Sequence, residues 1–174
     1  MMTLPLAFWT FVIIFAVIGA MRGWAKELLV SFSVILCLFI FSVLQRYVPP
    51  IGEFISRPTS TGFWIRTFVL LMLVFFGYQT PNLPKLQNAR FLRDKFSDSF
   101  LGFFIGIING ILIVGSIWIF MDQSNYPFKP YITKPPEPIA LLNYLPTKLF
   151  LQAGTSYIYF AIAIAFIFVL VVFI

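Results

Sequence analysis

Residues 100–121 read FLGFFIGIINGILIVGSIWIFM, an apolar run of 22 residues without a charged side chain. A helix that crosses the hydrocarbon core of a bilayer needs about 20 mainly apolar residues. The run therefore predicts a membrane-spanning helix. Asp98 lies just ahead of it and is expected either to cap the helix N-terminus or to interact with the helix dipole, while Asp122 closes the run at the other end.

The composition of the whole chain agrees with this run. Of 174 residues, 60% are hydrophobic and 10% are charged, and phenylalanine alone occurs 23 times. The mean hydropathy is +0.96. A chain this small leaves much of its surface exposed, so a soluble domain could not hide so many apolar side chains. We predict an all-α, multi-spanning transmembrane helical bundle with four to five spans and an interfacial amphipathic helix.

The other apolar runs give the remaining spans. Pro49 and Pro50 are expected to stop the second span, and Arg66 is expected to reach from the third span to the lipid headgroups. The uncharged final run is long enough to give a fifth span. The predicted spans besides 100–121 are 6–21, 28–48, 63–78 and 157–174.

Two segments between the spans differ in composition. Within residues 79–99, apolar and charged residues alternate at helical spacing around 86–96, which predicts the interfacial helix. Residues 126–156 are rich in proline and are expected to form an extramembrane connector. The predicted division is a membrane domain at 1–125, the connector, and the fifth helix at 157–174. Basic residues are equally divided between the two sides, and the dense group at 85–95 favours an N-terminus outside.

Several residue types that carry chemistry are missing. The chain has no histidine and a single cysteine, Cys37, which excludes histidine-based catalysis, imidazole metal ligands and an intrachain disulfide. No carboxylate falls at the centre of a predicted span, which argues against an ion-coupled pump. We therefore predict no enzyme activity, metal or cofactor. The net charge of +6 is expected to face anionic membrane lipids, and no nucleic-acid partner is expected.

Glycines recur every four residues in the fourth span, at Gly102, Gly106 and Gly110, and again at Gly19 and Gly23. Residues four apart share one helix face, and glycine allows a neighbouring backbone to approach closely. These five glycines therefore predict a helix-packing face, with the first helix as one partner of the fourth. The alternative is the general abundance of glycine in membrane helices.

Polar residues near the spans have more than one interpretation. Asn109 lies in the middle of the fourth span, where an interhelical hydrogen bond is favoured and a contact to a substrate or ion is the alternative. Residues 22–27 hold three charges and are expected to form a solvated helix hairpin. Contacts with lipid headgroups or a partner are predicted for Arg22, Lys26, Arg90, Arg93 and Lys95.

Two stretches resemble the colicin V production protein family: IGAMRGWAKEL at 18–28, and DSFLGFFIGIINGILIV at 98–114 with its three spaced glycines. The resemblance covers roughly residues 8–122. Members often carry arginine where this chain has Ser99 and Asn109. The resemblance implies a small bacterial inner-membrane protein associated with toxin production or export and with envelope upkeep.

Two functions are compatible with these features. The first is a non-catalytic scaffold or accessory subunit of a larger membrane complex, with other membrane proteins as partners, a glycine-lined helix pair and no buried charge. The second is a component of an export pathway for a toxin, peptide or small molecule, which would need a polar path; Asn109 and Ser116 are the residues that hint at one.

Overall fold

A computed structural model describes residues 3–79 and 95–128, together with Ile132, Leu142, Leu145, residues 159–164 and Phe166, but not the side chains of Ser56 and Lys95. These residues are mostly helical and contain no strand, which confirms the all-α prediction. Within the described residues, the helices with defined bounds are α1 (Leu4–Arg22), α2 (Trp24–Tyr47), α3 (Pro49–Ser56), α4 (Ser60–Tyr78) and α5 (Lys95–Gln123).

Four helices are long and apolar enough to cross a membrane: α1, α2, α4 and residues Phe96–Gln123 of α5. They correspond to the four predicted spans. Of the predicted fifth span, residues 159–164 are helical and the rest lies largely outside the described residues, so that span stays a prediction. Most of the predicted interfacial helix at 86–96 also lies outside them.

Of the two roles expected for Asp98, the structure agrees with the interaction with the helix dipole: Asp98 lies in the first turn of α5 and not at its N-cap. Its carboxylate also accepts a hydrogen bond from the backbone N–H of Trp24, at 3.2 Å from Oδ1 to N. Trp24 is the first residue of α2, whose first N–H groups have no partner inside the helix. Asp98 therefore caps a neighbouring helix.

The prolines after α2 begin a helix as well as end one. α2 ends at Tyr47, and Pro49 starts the short helix α3, because the first turn of a helix does not need the missing N–H. α3 folds back on the last turn of α2, where a Cβ added to Gly52 would lie 2.7 Å from the Cα of Gln45. This helix was not predicted from the sequence.

The interior of the bundle lies between α2 and α5, and α2 also packs against α4. Its centre is apolar, and its fully buried residues include Val34, Cys37, Leu38 and Phe120. Many large apolar side chains point outward, among them Ile13, Phe68, Phe75 and Phe104. Such a surface suits lipid, because lipid tails are as apolar as these side chains.

Candidate functional site

The spaced glycines lie in the contact between α1 and α5. A Cβ on Gly19 would lie 2.8 Å from the Cα of Gly106, and a Cβ on Gly106 would lie 3.0 Å from the Cα of Ala16. At Gly110 it would meet the Cα of Val12 at 2.9 Å. These neighbours are backbone atoms, which cannot rotate away. The two backbones thus touch along the N-terminal half of α5, and larger residues would force the helices apart.

Gly23 joins α1 to α2 and has a φ of +85°, which side chains on L-residues rarely adopt. The first turn of α5 holds this turn in place. A Cβ on Gly23 would meet the carboxylate of Asp98, and the hydroxyl of Ser99 donates to the carbonyl oxygen of Ala20 at 2.7 Å. Gly102 lies against the same turn, with its added Cβ 3.1 Å from the carbonyl carbon of Gly23.

A group of polar side chains, named here the Glu27 cluster, lies inside the bundle next to the contact between α1 and α5. The side chain of Glu27 is 0% exposed, and its Oε1 lies 2.6 Å from Nη1 of Arg22. Its Oε2 accepts a hydrogen bond from Nδ2 of Asn109 at 2.7 Å. The cluster consists of Arg22, Glu27, Ser31, Tyr78 and Asn109.

Asn109 uses both ends of its amide. Nδ2 also donates to the backbone oxygen of Glu27 at 2.9 Å, and Oδ1 accepts from the hydroxyl of Ser31 at 2.6 Å. The residue lies at the midpoint of α5, which spans residues 95–123. In the described residues, Asn109 therefore forms interhelical hydrogen bonds from α5 to α2.

Arg22 connects the cluster to a further helix. Its Nη2 donates to the carbonyl oxygen of Tyr78 at 3.1 Å, and its guanidinium carbon lies 4.3 Å from the centre of the Tyr78 ring. Tyr78 is the last residue of α4, where carbonyl groups lack partners inside the helix. The hydroxyl of Tyr78 is buried and has no hydrogen-bond partner among the described residues.

Two sequence-based expectations for this region are wrong. Residues 22–27 do not form a solvated hairpin, and the bundle does contain a buried charge, because Glu27 turns inward to Asn109 while Lys26 remains exposed. Gly23 interrupts the helix between Arg22 and Lys26, so the two residues do not share one continuous helix face. The sequence contained a hint, since Glu27 stands one residue before a long apolar run.

A second polar group, the Arg66 cluster, lies near the other end of α5. Arg66 is 2% exposed and does not reach the headgroups, contrary to expectation. Its Nε donates to the carbonyl oxygen of Gly62 at 3.1 Å, its Nη2 to the hydroxyl of Ser124 at 2.8 Å, and its Nη1 to the side-chain oxygen of Gln123. The guanidinium carbon lies 5.3 Å from the ring centre of Phe120.

The partners of Arg66 are all neutral. Within the part of the chain that the structure describes, the ion pair found joins Arg22 and Glu27, and no carboxylate pairs with Arg66. Arg66 lies at the C-terminal end of α5, where the helix dipole carries a partial negative charge that favours a cation. The carbonyl oxygens of Phe120, Met121 and Asp122 at this end accept hydrogen bonds from the backbone N–H groups of the residues that follow.

The C-terminal half of α5 is covered by the residues that follow it. Leu145 lies against Gly115, where an added Cβ would be 3.0 Å from Cδ2 of the leucine. Nε1 of Trp118 donates to the hydroxyl of Tyr126 at 3.4 Å, and burial raises the pKa of that hydroxyl. The atoms that contact this half of α5 here belong to the side chains of Leu145 and Tyr126, in contrast to the backbone contacts at Gly19 and Gly106.

The remaining predicted contact residues are the basic residues Arg90, Arg93 and Lys95. Arg90 and Arg93 lie outside the described residues, as does the side chain of Lys95, so their lipid or partner contacts stay predictions. Among the residues that the structure describes, no group of three or more acidic or cysteine side chains could hold a metal ion. The described polar clusters join helices to one another.

Comparison with known proteins agrees with the sequence resemblance. No curated protein and no solved structure matches the chain. The sequence profile of the family described as colicin V production protein matches residues 4–135. These residues include helices α1 to α5, the glycine contact between α1 and α5, and both polar clusters. The chain therefore belongs to the colicin V production protein family.

Proposed function

We propose that the chain is a non-catalytic scaffold or accessory subunit of a larger complex in the bacterial inner membrane. The observation that carries this proposal is the use of the buried polar groups. The carboxylate of Glu27 accepts hydrogen bonds from Arg22 and from Asn109, and Asn109 also donates to the backbone oxygen of Glu27. Groups occupied in this way fix the positions of helices and offer no free acid–base pair for catalysis.

The outer surface supports the same proposal. On α4, the exposed residues include Trp64, Phe68 and Phe76, and on α5 they include Phe100 and Phe104. Aromatic side chains are enriched where proteins meet partners, and in a membrane they also contact lipid. A fixed interior with a broad aromatic surface is what an accessory subunit needs to dock against other helices.

Photo-cross-linking in the intact membrane tests the proposal. A photoreactive phenylalanine analogue is placed at the exposed positions Phe68 and Phe104, and at the buried Phe120 as a matched control. We expect a specific adduct with another membrane protein from at least one exposed position and none from Phe120. Adducts with lipid alone from both exposed positions would contradict the proposal.

A second candidate is a component of an export pathway for a peptide or small molecule. It is favoured by the location of Asn109 and Glu27, which lie against each other at the midpoint of the longest helix. Ionisable residues at membrane depth often mark a translocation path. Asp98, Asn109, Ser116 and Gln123 also share one face of α5, because their spacings of eleven, seven and seven are close to whole helical turns.

Flux from proteoliposomes tests this candidate. Vesicles are loaded with a fluorescein-labelled cationic peptide or with carboxyfluorescein, and release is compared with protein-free vesicles. Export predicts release by the unmodified chain and its loss in Asn109→Leu, with Gly115→Ala as a control that leaves the polar face unchanged. Absence of release by the unmodified chain, or equal release by Asn109→Leu, would exclude this role for the chain alone.

A further inference from the structure

The short helix α3 lies at the level where two spans leave the membrane. Its Gly52 lies against the last turn of α2, where an added Cβ would be 3.0 Å from the carbonyl oxygen of Leu44. The carbonyl oxygen of Ile55 lies against the first turn of α4, 3.3 Å from a Cβ added to Gly62. Because α3 has eight residues and cannot cross the membrane, the end of α2 and the start of α4 lie at the same membrane surface. α3 therefore connects two span ends at that surface.

The side chains of α3 divide into three groups around the helix axis. Gly52 and Ile55 are buried against the bundle. Ile51 and Phe54 lie about 100° from this pair and are 45% and 49% exposed. Glu53 is also exposed and lies roughly 130° from both pairs. Besides the face that packs on the bundle, α3 thus has an apolar face on one side and a carboxylate on the other.

Aromatic residues on both sides of α3 indicate the level of the lipid headgroups. Tyr47 ends α2 and is 64% exposed, while Trp64 lies one turn into α4 and is 57% exposed. Tyrosine and tryptophan are enriched where membrane helices meet water. A helix that lies in the interface turns apolar side chains toward the acyl chains and charged ones toward water. The separation of Ile51 and Phe54 from Glu53 matches this arrangement.

Two exposed arginines flank α3 and add a preference for charge. Arg46 lies in the last turn of α2, and Arg57 directly follows α3. The guanidinium carbon of Arg46 lies 5.8 Å from the ring centre of Tyr47, which places this charge beside an interfacial aromatic residue. Among the residues that the structure describes, no ion pair involves Arg57. Residues 46–57 hold two arginines and one glutamate, a net charge of +1, which favours anionic over zwitterionic lipid.

We propose that α3 is an interfacial helix that binds anionic phospholipid. Ile51 and Phe54 lie among the upper parts of the acyl chains, and Arg46 and Arg57 contact the lipid phosphate groups. This site is at the opposite end of α2 from the lipid or partner contacts predicted at the α1–α2 turn. It does not depend on the accessory role proposed above, because it concerns the lipid that surrounds the bundle.

Fluorescence quenching tests where α3 lies. A bimane label is attached at Phe54→Cys or at Glu53→Cys in a Cys37→Ala background, and the chain is reconstituted in nanodiscs of phosphatidylcholine. We expect doxyl-labelled phosphatidylcholine to quench the label at residue 54, and acrylamide, a water-soluble quencher, to quench the label at residue 53. Quenching of both labels by acrylamide alone would mean that α3 projects into water, as a surface for a soluble partner would. That result would overturn the proposal.

The preference for anionic lipid is measured with the label at residue 54. Doxyl-labelled phosphatidylglycerol and doxyl-labelled phosphatidylcholine are compared in the same nanodiscs at equal mole fraction. The ratio of their association constants should favour phosphatidylglycerol by at least about fivefold, the effect expected from one basic residue near an anionic surface. In the double variant Arg46→Gln/Arg57→Gln, the ratio should fall to about one or below.

The control is the same label at Phe75→Cys, an exposed position of α4 near the opposite membrane surface. Its quenching by the two lipids should be the same with and without the arginine substitutions, which shows that the bundle is intact. Arg57→Gln alone replaces the double variant if that variant does not fold, and it should lower the ratio at residue 54. An unmodified chain without a preference at residue 54 would overturn the proposal. So would a preference that persists in the folded arginine variants.

Discussion

Each of the two buried polar clusters contains a buried charged side chain, and the two compensate that charge in different ways. In the Glu27 cluster, a carboxylate and a guanidinium neutralise each other, and Asn109 completes the hydrogen bonding. In the Arg66 cluster, a single cation is surrounded by the neutral side-chain oxygens of Gln123 and Ser124 and by the end of a helix. The first cluster involves α1, α2, α4 and α5, while the second joins α4 to the end of α5.

This difference predicts how much stability the bundle loses when residues in each half are substituted. In the half near Glu27, backbones touch through glycine and a charge would be stranded if its partner were removed. In the half near Arg66, the side chain of Leu145 fills the space beside Gly115 of α5, and the partners of the cation are neutral. Substitutions that disrupt backbone contacts, or that leave a buried charge without its partner, cause a large loss of stability. Flexible side chains and neutral groups can adjust, so substitutions beside them cause a smaller loss.

The largest expected effect is that of Gly106→Leu. The new side chain would meet the backbone at Phe15 and Ala16, so α1 and α5 must separate. We expect a loss of more than about 4 kcal/mol of stability, or failure to fold. Gly115→Ala is the control, because its Cβ meets the flexible end of Leu145. Unfolding in bicelles, measured by steric trapping, compares the two; equal losses would contradict the contrast between the halves.

Arg22→Leu should have the next largest effect, because it leaves the fully buried carboxylate of Glu27 without its cation. Removal of one member of a buried ion pair costs about 3–5 kcal/mol. The double variant Arg22→Leu/Glu27→Leu should recover more than half of this loss, since no charge is then stranded. The same unfolding measurement checks it. A double variant no more stable than Arg22→Leu would show that the charge of Glu27 is not the cause.

Arg66→Met is expected to have a smaller effect than Arg22→Leu. Methionine fills much of the same volume beside Phe120, and the groups left behind, Gln123 and Ser124, are neutral. Leaving neutral buried groups without a partner costs about 1–3 kcal/mol. The unfolding free energy of this variant is compared directly with that of Arg22→Leu. A loss as large as that of Arg22→Leu would mean that the cation itself is essential at this end.

The smallest effect is expected for Asp122→Asn. Asp122 is partly exposed at the end of α5 and lies near the hydroxyl of Tyr126, and an asparagine there has nearly the same shape and can still accept a hydrogen bond. The change in unfolding free energy should stay within about 0.5 kcal/mol. A thermal melt in mild detergent is sufficient to measure it, with Gly106→Leu run alongside. A clear loss of stability would assign Asp122 a structural role that its exposure does not suggest.

The apolar runs in the sequence predicted the spanning helices, because a helix can cross a membrane on the strength of its own apolar residues, whatever the rest of the chain does. The runs around residues 6–21, 28–48, 63–78 and 100–121 correspond to α1, α2, α4 and α5. The stretches at 18–28 and 98–114 likewise indicated the family, which the match over residues 4–135 confirms. The short helix α3 was missed, because two prolines that end one helix can equally begin the next.

Hydropathy and residue spacing were sufficient to predict a membrane bundle of helices with a glycine-spaced fourth span, because both are properties of single segments. The positions of the buried charges could be found only from the packing of the helices. Glu27 and Asn109 are 82 residues apart in the chain, and Arg66 and Ser124 are 58 apart. Whether a charge near a span is buried depends on which partners the other helices bring to it, and that requires the helices to be packed.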